Sequence, residues 1–83
     1  MDIKDEVVEL LVAKAPMIFG ASAKGVELGP DTAFADLNTK SVHMVQISAA
    51  LEDEYEVEVP FMEMMKVKTF SDVGDLIDRL LSM

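Results

Sequence analysis

Two side chains able to act on a substrate fall close together in this chain, Ser41 and His43. A serine beside a histidine is the raw material of nucleophilic catalysis, in which the imidazole takes the hydroxyl proton. The spacing argues against it. Residues two apart on a helix face different directions and do not readily share a hydrogen bond, and the chain has neither a second histidine nor a Gly-x-Ser-x-Gly elbow. His43 therefore reads as a surface residue, and a small hydrolase has no other support. The acidic run Glu52, Asp53, Glu54, Glu56 and Glu58 lacks the alternating aspartates, glycine and closing glutamate of a calcium loop. It reads as a solvated helix end or an acidic docking face. Met62, Met64 and Met65 beside Phe61 fit a short packed segment, although methionine also adapts to flexible apolar ligands. With no cysteine and one histidine, disulfides, thiolate metal sites, thiol nucleophiles and multi-histidine metal clusters are all excluded. Thioester chemistry would need a thiol brought from outside.

The elements that must hold these residues belong to a small chain. Its 83 residues are expected to form a single domain, 1–83, with one core and no room for a deep catalytic cleft. A composition 51% hydrophobic but only 6% aromatic suits aliphatic packing between helices. Sixteen acidic against seven basic residues give a net charge of −9, which repels a phosphate backbone and argues against nucleic acid as a partner. An acidic surface steers toward basic patches on other proteins, or simply keeps a small domain soluble. The first residues, MDIKDEVVELL, are acidic and amphipathic instead of basic then apolar, and no apolar run approaches the roughly 20 residues of a membrane span. The chain reads as cytoplasmic.

Ile3, Val7, Leu10, Leu11 and the stem of Lys14 recur at three- and four-residue intervals, predicting a helix from Asp2 to about Ala15 that stops before Pro16. Residues 17–37 read as a long ordered loop, pinned by Ile18, Phe19, Val26, Leu28, Phe34 and Leu37; its glycines lack the spacing of a phosphate loop. A central helix is expected from Ser41 to about Glu54. It has two apolar rows, Val42/Val45/Ala49 and Met44/Ile47/Leu51/Tyr55, with a polar strip containing His43, Gln46, Asp53 and Glu54. Glu56–Val59 reads as an extended connector ended by Pro60, and Phe61–Val67 as one or two helical turns. A last helix, capped by Ser71 or Asp72, should run to about Leu81 on Val73, Leu76, Ile77, Leu80 and Leu81. Gly74 should weaken it by about 1 kcal/mol relative to alanine. The expected fold is all-α: a four-helix bundle with a long first loop and a short third helix.

The run Pro30-Asp31-Thr32-Ala33-Phe34-Ala35-Asp36-Leu37, Ser41 four residues after its leucine, and LEDEYEVEVP from Leu51 to Pro60 resemble the core of the acyl carrier proteins of fatty-acid and polyketide assembly. That family's pattern reads roughly F-x-D-L-G-x-D-S-L, a valine three residues on, then L-E-x-x-F/Y and a proline; Thr69–Val73 fits the start of its last helix. The resemblance implies a four-helix bundle without catalytic activity of its own. It implies 4′-phosphopantetheine, taken from coenzyme A and attached to Ser41, whose terminal thiol holds an acyl group as a thioester. The implied partners of what would be a monomer are a phosphopantetheinyl transferase and acyl-transferring or ketosynthase-type enzymes with basic docking patches.

By the same resemblance, Lys40, Val42, His43, Met44 and Gln46 line the face that partners read, and Glu52, Asp53 and Glu54 add acidic contacts. Val45, Ile47, Ala49, Leu51, Val59, Met62, Met65 and Leu76 would line an acyl cavity. Met44→Arg is then expected to impair partner recognition more than folding. The departures from the pattern gather at the serine: Lys40-Ser41-Val42 stands in place of Asp-Ser-Leu, and Asn38 in place of glycine. A cation at a helix N-terminus is disfavoured by about 0.3–1 kcal/mol. Two functions follow: a specialised acyl carrier with altered partners, or a carrier-fold interaction or scaffold module in which Ser41 is unmodified and only starts a helix.

Overall fold

Helix α1 (Ile3–Phe19) runs through Pro16 instead of stopping before it, in the computed structural model, which describes residues 2–83. Asp2 caps it, its carboxylate accepting from the Asp5 N–H at 2.9 Å. Asp5 and Glu6 add negative charge to the first turn, where the helix dipole favours it. Proline removes one helical donor. The extra turn nevertheless buries Phe19 and encloses Ala15, and that apolar burial outweighs the lost bond. The stop comes at Gly20, whose φ of 56° is open mainly to glycine and whose N–H returns to the Pro16 carbonyl.

The segment expected as a loop contains two 3₁₀ turns, Gly20–Ala23 and Phe34–Leu37. Its expected pins divide: Phe19, Phe34 and Leu37 are in the core, while Ile18, Val26 and Leu28 pack at its margin. The buried Thr32 closes the loop on itself, its Oγ1 donating to the Glu27 carbonyl at 2.9 Å and accepting the Gly29 N–H at 2.7 Å. Backbone bonds clamp the loop to residues just before and inside the last helix. Phe34 N–H donates to Lys68 O at 2.9 Å, Phe70 N–H to Thr32 O at 3.1 Å, and Ser71 N–H to Pro30 O at 2.9 Å.

Three further helices follow: α2 (Ser41–Tyr55), α3 (Phe61–Met64) and α4 (Phe70–Leu81). Residues 57–60 before α3 are in neither helix nor strand, but Glu56, expected in the extended connector, is instead left-handed (φ 53°) and ends α2. The cap of α4 is Thr69, two residues earlier than the nearer of the two expected caps. Thr69 Oγ1 accepts the Asp72 N–H at 3.1 Å, while Asp72 Oδ2 accepts from Thr69 N–H at 3.1 Å and Lys68 N–H at 2.9 Å. This reciprocal box starts the helix at Phe70, which is fully buried. The Lys68 and Thr69 amides hold the Asp72 carboxyl below its usual range. Asp72→Ala is therefore expected to cost about 0.5–1 kcal/mol, allowing for solvent screening. Because the folded-state pKa is lowered, that stabilisation is complete above the ordinary carboxylate range and disappears as pH falls through the lower folded value. Urea titrations of both proteins from pH 7 to pH 2 should show the difference closing.

The main pairing is α1 against α4, with α2 resting on α1 and α3. Gly74 lets α4 approach α1: a β-carbon there would lie 2.8 Å from the Lys4 carbonyl oxygen and 3.2 Å from Lys4 Cα. Helix propensity alone favours Gly74→Ala by about 1 kcal/mol. Overpacking against backbone costs about 1–3 kcal/mol, so the variant is expected to be less stable in thermal or urea unfolding. Of the two apolar rows on α2, Met44, Ile47 and Leu51 are buried, with Ser48 beside them, and Val42, Val45 and Ala49 face outward. The helix is thus buried along one side and not on several.

Candidate functional site

The residues before Ser41 set the start of α2. Leu37 is fully buried and fixes the end of the second 3₁₀ turn. Asn38 then adopts the left-handed conformation (φ 53°, ψ 44°) that asparagine tolerates better than most residues, and Thr39 Oγ1 donates to the Phe34 carbonyl at 2.7 Å. Lys40 is the extended cap residue, and its N–H donates to His43 Nδ1 at 2.8 Å. This is half of a capping box, because an ammonium has no lone pair to offer the amide of the third helical residue. The Lys40 Nζ instead donates to Asn38 Oδ1 at 3.3 Å.

Ser41 is the first residue of α2 and is exposed. None of the described side-chain hydrogen bonds at this turn uses its hydroxyl. It stands where the unpaired amides of the first helical turn give a positive partial charge. Lys40 adds a full cation and has no carboxylate within ion-pair distance among the described residues.

His43, expected on the surface, is half-buried: its ring packs on Phe19 with centroids 5.0 Å apart. With Nδ1 accepting from Lys40, it secures the start of α2 and is not aimed at Ser41. Lys40, Val42, Gln46, Asp53 and Glu54 are exposed, as residues facing a partner would be. Met44 is a correction. It is only 6% exposed because it shares the core row with Ile47 and Leu51, so it does not belong to the outer face. Glu52 is committed internally, its Oε2 accepting the Val59 N–H at 2.8 Å and drawing the connector onto α2.

The eight residues expected around an acyl cavity separate into two sets. Ile47, Leu51, Val59 and Leu76 are in the closed core, whereas Val45, Ala49, Met62 and Met65 lie at the surface. Three surface clefts are lined by other residues, one of them by Val8, Val12, Ala13 and Pro30 beside Asp5 and Glu9. Of the three methionines in 61–67, Met64 is the one that fills the core.

Two features had no weight in the sequence. Ser48 is buried with its Oγ unpartnered; its only signal is a position seven residues after Ser41, on the same side of the helix. The Tyr55 hydroxyl donates to Glu6 Oε1 at 3.1 Å, tying the end of α2 to α1. Burial and the neighbouring carboxylates push it up to about 12. Among the described residues no three acidic or histidine side chains converge to hold a metal, and no helix is long and apolar enough to cross a membrane.

Residues 18–77 match the family model described as a phosphopantetheine attachment site. The chain is similar to the acyl carrier protein of Campylobacter fetus subsp. fetus, 37% identical over 79 residues that span 95% of this chain and 91% of that protein. It is also similar to the acyl carrier protein of Thermosynechococcus vestitus, 46% identical over 50 residues, a match covering 59% of this chain and 62% of that protein. In fold it resembles the crystal structure of an acyl carrier protein from Thermotoga maritima, with a TM-score of 0.73 at 19% identity over 95% of this chain and 91% of the other.

Proposed function

The chain belongs to the acyl carrier proteins, and from that premise we propose that Ser41 is where its 4′-phosphopantetheine is attached. Proteins of this family are carriers and not catalysts. When bound, the group supplies the thiol that this cysteine-free chain lacks, and holds an acyl chain on it as a thioester. The observation that carries the assignment is the free, exposed hydroxyl of Ser41 at the start of α2.

The residues present fit the group. Attachment joins Ser41 Oγ to the phosphorus that coenzyme A bears next to its pantetheine, releases adenosine 3′,5′-bisphosphate, and passes the serine proton to a base on the transferase. The resulting phosphodiester keeps one negative charge. The first-turn amides of α2 and Lys40 would hold that charge, and the lysine that reads as a misplaced cation in the bare helix would serve as its counter-ion. The turn of residues 37–40, with Leu37 buried, Asn38 left-handed and Thr39 bonded to the Phe34 carbonyl, leads directly into the serine.

We read the wider role as carrying intermediates of fatty-acid, polyketide or related acyl-transfer biosynthesis, by a monomeric domain covering residues 1–83 that works in the cytoplasm. Its partners would be a phosphopantetheinyl transferase and acyl-transferring or ketosynthase-type enzymes. Exposed Lys40, Val42, Gln46, Asp53 and Glu54 support a docking face along α2. In the other function, an unmodified interaction module, Ser41 only starts α2, a place it does occupy; the match of residues 18–77 to the phosphopantetheine attachment family favours the carrier.

The test is the intact mass of the protein after incubation with coenzyme A and each of several phosphopantetheinyl transferases. One added phosphopantetheine, mapped to the peptide containing Ser41, is expected. An unchanged mass with every transferase would refute the assignment.

A further inference from the structure

Attachment at Ser41 leaves a second serine of α2 unexplained. Ser48 is 8% exposed, and its Oγ has no hydrogen-bond partner among the described residues. A hydroxyl withdrawn from water without a partner destabilises the protein that holds it, which alanine at the same place would not. Its position is specific. Seven residues after Ser41, it lies two turns and about 10 Å further along the same side of the helix.

That side is apolar between the two serines, where Val45 is 51% exposed. One turn beyond Ser48, Glu52 accepts the Val59 N–H and draws the connector leading into α3 against α2. The α3 region in turn exposes Phe61, Met62 and Met65. A line therefore runs from the exposed hydroxyl of Ser41, past an apolar side chain, to a buried hydroxyl with an unused hydrogen bond. No charged residue lies on it before Glu52.

We propose that Ser48 is the polar contact for an oxygen-bearing acyl cargo. Its Oγ hydrogen-bonds to a keto or hydroxyl oxygen of a chain attached through Ser41 and laid along α2 past Val45. The proposal rests on attachment at Ser41. A saturated chain following the same line would leave Oγ unpaired, whereas an oxygen at the right distance from Ser41 satisfies it, so the site distinguishes the two classes of cargo. The competing use of the hydroxyl is a bond within the helix to the Met44 carbonyl four residues back.

Both can be tested on the wild-type protein and Ser48→Ala. Each is loaded by a phosphopantetheinyl transferase from octanoyl, 3-oxo-octanoyl, 5-oxo-octanoyl or 7-oxo-octanoyl coenzyme A, with loading verified by intact mass. At least one oxo chain is expected to raise the wild-type Tm several degrees above that of the octanoyl form. The excess should vanish in Ser48→Ala, whose unloaded form should melt higher than unloaded wild type. Equal Tm values for all loaded wild-type forms would overturn the Ser48 proposal and leave attachment intact. A lower Tm for unloaded Ser48→Ala would also overturn it, by showing that the hydroxyl is satisfied within α2. Absence of any mass increase would sink both readings together.

Discussion

Ser41→Ala is expected to abolish phosphopantetheine attachment completely while leaving the fold unchanged. The second half of that result is what the structure adds. A serine at a helix start usually acts as a cap, and replacing such a cap by alanine costs about 0.5–2 kcal/mol. Here the cap is Lys40, and the Ser41 hydroxyl is exposed and has no partner among the described residues. Alanine is also a good first-turn residue, so the change in stability should stay within about 0.5 kcal/mol. Thermal unfolding and intact mass on the same samples separate the effects. A loss of more than about 1 kcal/mol would give Ser41 a structural role that the geometry does not. Retained attachment would move the site to Ser22, Ser48, Ser71 or Ser82, the other serines of the chain.

Met44→Arg is expected to unfold the protein, the reverse of what the resemblance implies. Met44 is 6% exposed in a row with Ile47 and Leu51, all three in the continuous core. Truncating a buried methionine costs about 2–5 kcal/mol, and a guanidinium in its place adds an unpaired buried charge. A domain of this length has about 4–12 kcal/mol of stability in total. Circular dichroism should show the folded signal lost or the Tm sharply lowered. The control is Val45→Arg one residue along, where a side chain 51% exposed leaves the new cation in water. That variant should stay folded. A folded Met44→Arg with an unchanged Tm would mean that the α2 core row is misassigned.

These two residues show where sequence patterns stop being informative. The α2 segment has apolar residues in two rows, and periodicity gives each an equal claim on the core. The choice depends on where α1 and α3 pack, which no local spacing contains. The same dependence hides His43. It becomes half-buried because α1 continues past Pro16 and delivers Phe19 against its ring, and the rule that ends helices before proline expresses a preference that burial can override. Thr69 was missed as the cap of α4 because Ser71 and Asp72 are equally good cap formers nearby; the buried Phe70 decides among them. Ser41 as the exposed first residue of α2 was legible, because the loop before it and the acidic run after it fall at fixed distances that survive the change at Lys40. Ser48 was not, since a serine in mid-helix looks the same whether its hydroxyl meets water or nothing.

The three backbone bonds between residues 30–34 and 68–71 close the chain into a ring, with α2 and α3 hanging inside it. Both ends of that lobe are fastened to the frame made by α1 and α4. Because the core row of α2 and Met64 of α3 belong to the same continuous core as α1 and α4, the ring makes frame and lobe one cooperative unit, and the amides of Phe34, Phe70 and Ser71 should be among the last to exchange with solvent.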